Sequence, residues 1–324
     1  MVDPVDGKIL RALQCSPRAS FRRIAEVAGI SEQTAARRYR ALRRAGVVRV
    51  VGLAGSAHGD SRWLARIRCR PDRVGPLAES LARRPDVAYV ALASGGAEIV
   101  CIVRSPTDSG GDDLLLQRLP KASSVLDLNL DLLIHPFGSP GTAEWTGFAE
   151  DLEPNQIRRL VADRPSSSGA GPSDEDTPLL AALAEDGRAT RTELAEITGW
   201  PPNRVARRME ALESTGALHY GVDLLPDELG FHLHATLLLR AAPADLERAG
   251  ERLARHAETA YVGATSGEHN LVAIVVCRDA EHLYRYLTSQ VGSVPGISGH
   301  QVSIRGRRVK QAGSLIAHGR LMPL

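Results

Sequence analysis

The sequence predicts an α+β chain in which two winged-type helix-turn-helix domains alternate with two ferredoxin-like (βαββαβ) domains. This is a tandem repeat that forms a pseudo-dimer from one polypeptide. Three observations predict it. Residues 6–53 lie over residues 176–223 without a gap, with identities at Asp6/Asp176, Arg18/Arg188, Ala25/Ala195, Gly29/Gly199, Arg37/Arg207, Arg38/Arg208 and Gly46/Gly216. Residues 82–103 lie over 254–275, matching Tyr89-Val90 to Tyr261-Val262 and Ser94-Gly95 to Ser266-Gly267. Between these stretches the apolar period changes from helical to alternating.

The elements follow in order. Asp3 before Pro4 is an N-cap with proline in the first turn, and Val5, Ile9, Leu10 and Leu13 then share one helical face. Pro17 closes that helix. Ser20 caps a second one, which Gly29 ends where a left-handed residue costs least. Ser31 caps a third helix to about residue 45, stopped by Gly46. Two helices joined by a short glycine turn make a helix-turn-helix, and Ala25 is small enough to let them cross closely. Residues 47–51 are a β-branched strand.

Beyond residue 60, Trp63, Ala65, Ile67 and Cys69 alternate with polar residues as a half-buried strand. A helix over 71–84, strands over 87–93 and 98–103 around Gly95-Gly96, a helix over 112–119 and a strand over 125–132 complete β-α-β-β-α-β. Such a sheet carries helices on one face, so its other face needs a partner. A short helix is expected over 155–162, and 164–173 reads as a flexible linker. The domains are therefore 1–52 and 174–222 (helix-turn-helix), 60–137 and 230–312 (ferredoxin-like), and 138–173 (connecting helix and linker).

A net charge of +2 conceals an imbalance between the copies. Residues 1–52 hold eleven Lys/Arg against four acids, and residues 174–222 hold five against nine. The first suits a polyanion and the second does not. Cys15, Cys69, Cys101 and Cys277 are scattered without a Cys-x-x-Cys pair, which argues against zinc fingers, iron–sulfur clusters and a disulfide framework. The start is acidic rather than signal-like, and no apolar run reaches membrane-helix length, so a cytoplasmic location without membrane contact is expected.

These motifs resemble the leucine-responsive regulator/AsnC (feast/famine) family across nearly the whole chain. The carrying residues are Ile24-Ala25…Gly29…Arg37-Arg38 and Leu194-Ala195…Gly199…Arg207-Arg208. Each is followed by Leu-x-x-x-Gly at Leu42–Gly46 and Leu212–Gly216, and by a ferredoxin-like domain with a Ser-Gly turn. The chain looks like two protomers fused head to tail. The resemblance implies a transcriptional regulator that pairs its sensing domains within the chain and assembles further into homo-oligomers. Its partners would be double-stranded DNA and a small, amino-acid-like effector held near the glycine-rich turn. It implies no cofactor and no catalysis. Where the family turn tends to read Gly-x-x-Asp, this chain has Gly95-Gly96-Ala97-Glu98 and Gly267-Glu268-His269-Asn270. An acid can pair an effector's ammonium and an amide can only hydrogen-bond it, so the two sites are expected to differ.

On the first recognition helix, Ser31, Glu32, Gln33, Thr34, Arg37 and Arg38 stand where base edges are read, and Arg40, Arg43 and Arg44 where phosphates lie. In the second copy Asn203, Arg204, Arg207 and Arg208 are the candidates, but Glu210 and Glu213 replace Arg40 and Arg43 and would repel phosphate. Any one of these arginines could equally be a solvated helix face. Effector candidates are Ser94, Gly95, Gly96, Glu98, Ser266, Gly267, His269 and Asn270. The histidines form no repeated ligand spacing; His232 and His234 on one strand face read as structural rather than metal-binding. Trp145 and Phe148 are expected to pack the connecting helix against the body. Two other readings remain at this point. One is an enzyme like the siroheme decarboxylases, which share this domain pair; the other is a sensing protein acting only through partners.

Overall fold

A computed structural model describes residues 3–55, 60–106, 118–138, 145–149, 152–161 and 171–324. Its first half contains α1 (Pro4–Cys15), α2 (Phe21–Ala28), α3 (Glu32–Ala45), β1 (Val48–Ala54), β2 (Asp60–Cys69), α4 (Pro71–Ala82), β3 (Val87–Ala93) and β4 (Glu98–Pro106). The single turn α5 (Leu119–Lys121), β5 (Val125–Phe137) and α6 (Pro154–Leu160) complete it. The second half contains α7 (Thr177–Glu185), α8 (Arg191–Thr198), α9 (Pro202–Ser214), β6 (Leu218–Leu224), β7 (Leu233–Ala241), α10 (Leu246–Ala254) and β8 (Thr259–Thr265). After these come β9 (Leu271–Cys277), α11 (Ala280–Arg285), β10 (Ile297–Gln311), β11 (Ser314–Ala317) and β12 (Arg320–Met322). Most of the helix expected over 112–119 and of the linker over 164–173 lies outside the described residues, as does His58.

The chain forms two compact units that do not follow its order. One gathers Met1–His58, Ala149–Leu225 and Ala312–Leu324; the other gathers Gly59–Phe148 and Pro226–Gln311. In the first unit the caps fall where the sequence places them. The Asp3 carboxylate accepts from Val5 N at 2.8 Å, Ser20 Oγ from Arg23 N at 3.3 Å and Ser31 Oγ from Thr34 N at 3.1 Å. Gly29 and Gly199 take positive φ of 71° and 69° at the two turns. In the second copy Thr190 and Glu193 form a capping box, and Leu179, Leu183, Leu194, Val205, Met209 and Leu212 make its core.

The two helix-turn-helix copies are joined along a strand pair and through an exchange of arginines. β1 pairs antiparallel with β6 from Val48↔Leu224 to Ala54↔Leu218, which is why the strand runs beyond the expected residue 51. Arg18 donates to the carbonyls of Gly187 and Ala189, while Arg188 donates to those of Pro17 (2.6 Å) and Ala19 (2.8 Å). Each guanidinium also stacks on the other copy, Arg18 over Tyr220 at 5.3 Å and Arg188 over Phe21 at 4.7 Å. The C-terminal hairpin β11–β12 belongs to this unit, where Arg49 donates to Ser314 Oγ (3.1 Å) and the Met322 carbonyl (2.8 Å). Arg49 is thus buried, and its charge is not part of a surface for a polyanion.

The second unit departs from a pair of open ferredoxin-like sheets. Each half has the expected order, β3-β4-β2-β5 and β8-β9-β7-β10, but the last strand of each overruns its own sheet. The end of β5 pairs with β8 (Leu133↔Thr265 to Phe137↔Val262), and the end of β10 pairs with β3 (Arg305↔Ala93 to Gln311↔Tyr89). Eight strands therefore close into a barrel. Its outer face packs Ala235, Leu237, Leu239 and Phe137 with Ala249 and Leu253 of α10. Its inner face brings together Leu64, Ala93, Val100, Leu238 and Val272 with Ile102, Leu133 and Tyr261. Trp145 and Phe148 pack on each other, and Trp145 packs on Phe231 at 4.8 Å, within the barrel unit. In the other unit, α6 receives its own tie, from Gln156 Nε2 to the Val27 carbonyl at 3.2 Å.

Removing Arg188 strands two loop carbonyls. Arg188→Met is expected to cost about 2–4 kcal/mol, the loss of two charge-assisted hydrogen bonds, against less than about 0.5 kcal/mol for the exposed Arg37→Met. Urea unfolding checks this; equal midpoints for the two variants would show that the arginine exchange holds nothing.

Candidate nucleic-acid interface and sensing turns

On α3, Ala35, Ala36 and Tyr39 are buried, which turns Glu32, Gln33, Arg37, Arg40, Arg43 and Arg44 to solvent. The candidates then separate. Ser31 and Thr34 are occupied with each other in the cap, their hydroxyls 2.9 Å apart. Arg38 is half-buried and pairs with Asp6 (3.0 Å) and Asp3 (3.2 Å). Arg43 pairs with Asp186 at 2.7 Å. Glu32 also stays exposed at the helix start; Gln33, Arg37, Arg40 and Arg44, at i, i+4, i+7 and i+11, form one stripe along the helix. The three arginines of that stripe make no ion pair among the described residues.

The second copy repeats the scaffold without the charge. Arg208 bonds Asp176 through Nε at 2.6 Å, repeating the Arg38–Asp6 pair at the same offset of 170. This side-chain bond, assisted by Ser173, holds the Asp176 carboxyl down to about 2. Arg204 pairs with Glu175 at 2.7 Å and lies 4.3 Å over the Trp200 ring. Glu213 accepts from the Tyr220 hydroxyl at 2.9 Å. The matching stripe is Asn203, Arg207, Glu210 and Ser214, one cation against one anion. Its helix has Pro201 at the N-cap, with no side-chain cap bond.

The sensing turns also diverge. In the first, Ser94 takes a positive φ of 53° beside Gly95 and Gly96, and its hydroxyl reaches Glu98 Oε2 at 3.3 Å. Ser303 on β10 stands 3.5 Å from the same carboxylate. Space beside Gly95 and Gly96 is open. In the second, Ser266 exchanges two hydrogen bonds with Leu132 (3.0 and 2.9 Å). Asn270 spends its amide on both backbone groups of Ala241, each at 2.9 Å. Gly267 is closed in, because a Cβ there would collide with Asp131 Oδ1. Asp131 itself is buried, which pushes its carboxyl up against the pull of Arg66 and His269. Nothing in the sequence marked Asp131, since its neighbour is 136 residues away. Among the described residues no group of three or more His, Cys, Asp or Glu could hold a metal ion.

Known families match three stretches. An AsnC-type helix-turn-helix domain matches residues 2–43, a winged helix-turn-helix DNA-binding domain residues 179–218, and an Lrp/AsnC ligand binding domain residues 235–315. The chain is 27% identical over 135 residues to the HTH-type transcriptional regulator FL11 of Pyrococcus horikoshii, covering 41% of this chain and 89% of that protein. It is likewise 27% identical over 126 residues to the regulator LrpA of Pyrococcus abyssi, covering 39% and 89%. Among solved structures it is similar to the siroheme decarboxylase NirDL, with a TM-score of 0.61 and 13% identity over 95% of this chain and 93% of that one. That likeness is one of fold.

The Asp176–Arg208 pair makes a prediction about pH. A carboxyl held at about 2 in the folded chain and near 3.8 otherwise adds stability above about pH 4, which disappears as pH falls toward 2. The stability gap between the wild type and Asp176→Asn should narrow over that window in urea titrations. A gap independent of pH would remove the ion pair from the account.

Proposed function

Because the chain belongs to the Lrp/AsnC family, we propose that it is a sequence-specific DNA-binding transcriptional regulator tuned by a small, amino-acid-like effector. In this reading both protomer equivalents lie in one polypeptide, which acts in the cytoplasm as a homo-oligomer and catalyses nothing. The observation that carries it is the exposed stripe Gln33, Arg37, Arg40 and Arg44 on a capped recognition helix. Gln33 and Arg37, nearest the helix start, suit base edges; Arg40 and Arg44, farther along, suit phosphates. The second copy contributes Arg207 and Asn203 at most, opposed by Glu210, so an asymmetric operator is preferred. Glu98 with Ser94 would take the effector's ammonium in the first turn, and the locked second turn would not. No helix among the described residues is long and apolar enough to cross a membrane.

Gel shifts with the upstream region of its own gene test this. Arg37→Ala should weaken specific binding by roughly 5- to 150-fold, as expected for loss of a bidentate base contact. Arg40→Ala should weaken binding to all sequences alike and reduce the salt slope by about one. Arg207→Ala should have a clearly smaller effect than Arg37→Ala. Absence of salt-sensitive binding to any promoter fragment would refute the reading. The fold shared with NirDL raises the alternative of a decarboxylase. A red-shifted haem-like absorption band on adding siroheme would favour it.

A further inference from the structure

On β7, His234, Thr236 and Leu238 alternate with Ala235, Leu237 and Leu239, which belong to the outer core. The first three therefore face the barrel interior, where Leu238 meets Leu64, Val100 and Val272. β10 lies alongside, with Arg305 opposite His234 and Ser303 opposite Thr236. Four polar side chains are thus set side by side in the interior. Arg305 is 5% exposed, His234 4% and Thr236 2%.

Their hydrogen bonding is incomplete. Arg305 Nη1 donates to the Tyr89 hydroxyl, but Nε has no partner. Thr236 Oγ1 has none, nor has His234 Nδ1. Asp227 Oδ1 lies 3.4 Å from His234 Nε2, and its other oxygen is held by Arg308 at 2.9 Å. Asp227 is matched by Arg308, whereas Arg305 makes no ion pair among the described residues. Buried polar groups are almost always satisfied, and a buried charge with only a neutral partner is costly. A monoanion accepting from Arg305 and Thr236 would satisfy both, with the bonds to Arg305 charge-assisted.

We propose that Arg305 and Thr236, beside His234, form a site inside the barrel for the carboxylate of a small aliphatic ligand. The carboxylate lies at the Arg305 end, because Glu98 stands 3.5 Å from Ser303 Oγ and would repel it at the other. The aliphatic part meets Leu238 and Val272. The site occurs once per chain. At an offset of 172 the corresponding residues are Leu133, Arg62 and Leu64, with Leu133 opposite Arg62 as Arg305 is opposite His234, and two of the three cannot bond an anion. The proposal rests on reading this unit as ligand-binding, but not on any DNA contact.

Thermal unfolding and calorimetry of the full chain test it, with sodium isovalerate as probe, isovaleramide as its neutral counterpart and sodium chloride matching ionic strength. Isovalerate should raise the melting temperature saturably and isovaleramide should not. Arg305→Met should weaken isovalerate binding at least 10-fold and, by removing an uncompensated buried charge, melt no lower than wild type without probe. Should that variant fail to fold, the near-isosteric Thr236→Val should still weaken the probe several-fold. Equal responses to the acid and the amide, no saturable response in wild type, or an undiminished response in Arg305→Met would each overturn the proposal. Gel shifts of wild type and Arg305→Met without probe report separately on the regulator reading, which fails only if wild type binds no DNA.

Discussion

The barrel unit depends on one constraint: neither half-sheet can end at its own last strand. Each half has a helix-covered face and a bare apolar one, and an open edge beside a bare face invites uncontrolled pairing. Overrunning β5 onto β8 and β10 onto β3 closes both edges at once and seals the bare faces against each other. Register then becomes strict, since a slip of one residue would turn Leu133 and Arg305 outward. The bulges between Leu133 and His135 and between Arg305 and Arg307 lie where the strands change partners, and they bend them across the seam. The same closure carries polar residues of β7 and β10 into the interior. A sheet that packs on itself across a seam cannot choose which of its alternate residues face inward.

In the helix-turn-helix unit, pairing decides which charges remain for other molecules. A count of eleven cations in the first 52 residues suggests a broadly basic surface. Structure removes Arg18 to the carbonyls of the second copy, Arg38 to Asp6 and Asp3, Arg43 to Asp186, and Arg49 to the C-terminal hairpin. Arg11 is buried and Arg22 pairs with Glu26; apart from Lys8 and Arg23 on the first two helices, the remainder is a stripe one residue wide along α3. Phosphate attraction depends on net local charge, while base reading depends on where the side chain can reach.

Much of this was legible in the sequence because its causes are local. Caps at Asp3, Ser20 and Ser31, left-handed glycines at 29 and 199, and alternation along β2 and β5 all act within a few residues. The repeat itself placed every helix-turn-helix element. The features that could not be read act across long separations. Arg18 finds its carbonyls 169 and 171 residues away, Asp131 fills the space beside Gly267, and the ends of β5 and β10 exist only because another half supplies their partners. Proximity in sequence to the connecting helix said nothing about the packing of Trp145 on Phe231.

The identities between the two copies have a physical pattern. Asp6/Asp176 with Arg38/Arg208 make the same ion pair twice, Arg18/Arg188 make the reciprocal loop exchange, and Gly29/Gly199 make the same turn. These are packing residues, and a second copy must keep them for the first to stand, since β1 has β6 as its strand partner. The exposed stripe obeys no such demand. There Gln33 becomes Asn203, Arg40 becomes Glu210 and Arg44 becomes Ser214, with only Arg37/Arg207 alike. When one copy is held for its fold while the other holds the charge, divergence should be confined to the solvent face, on a scaffold whose contacts are retained. On that argument the second helix-turn-helix is first a structural half of the first. Any DNA contact it makes is set by Arg207 against the neighbouring Glu210.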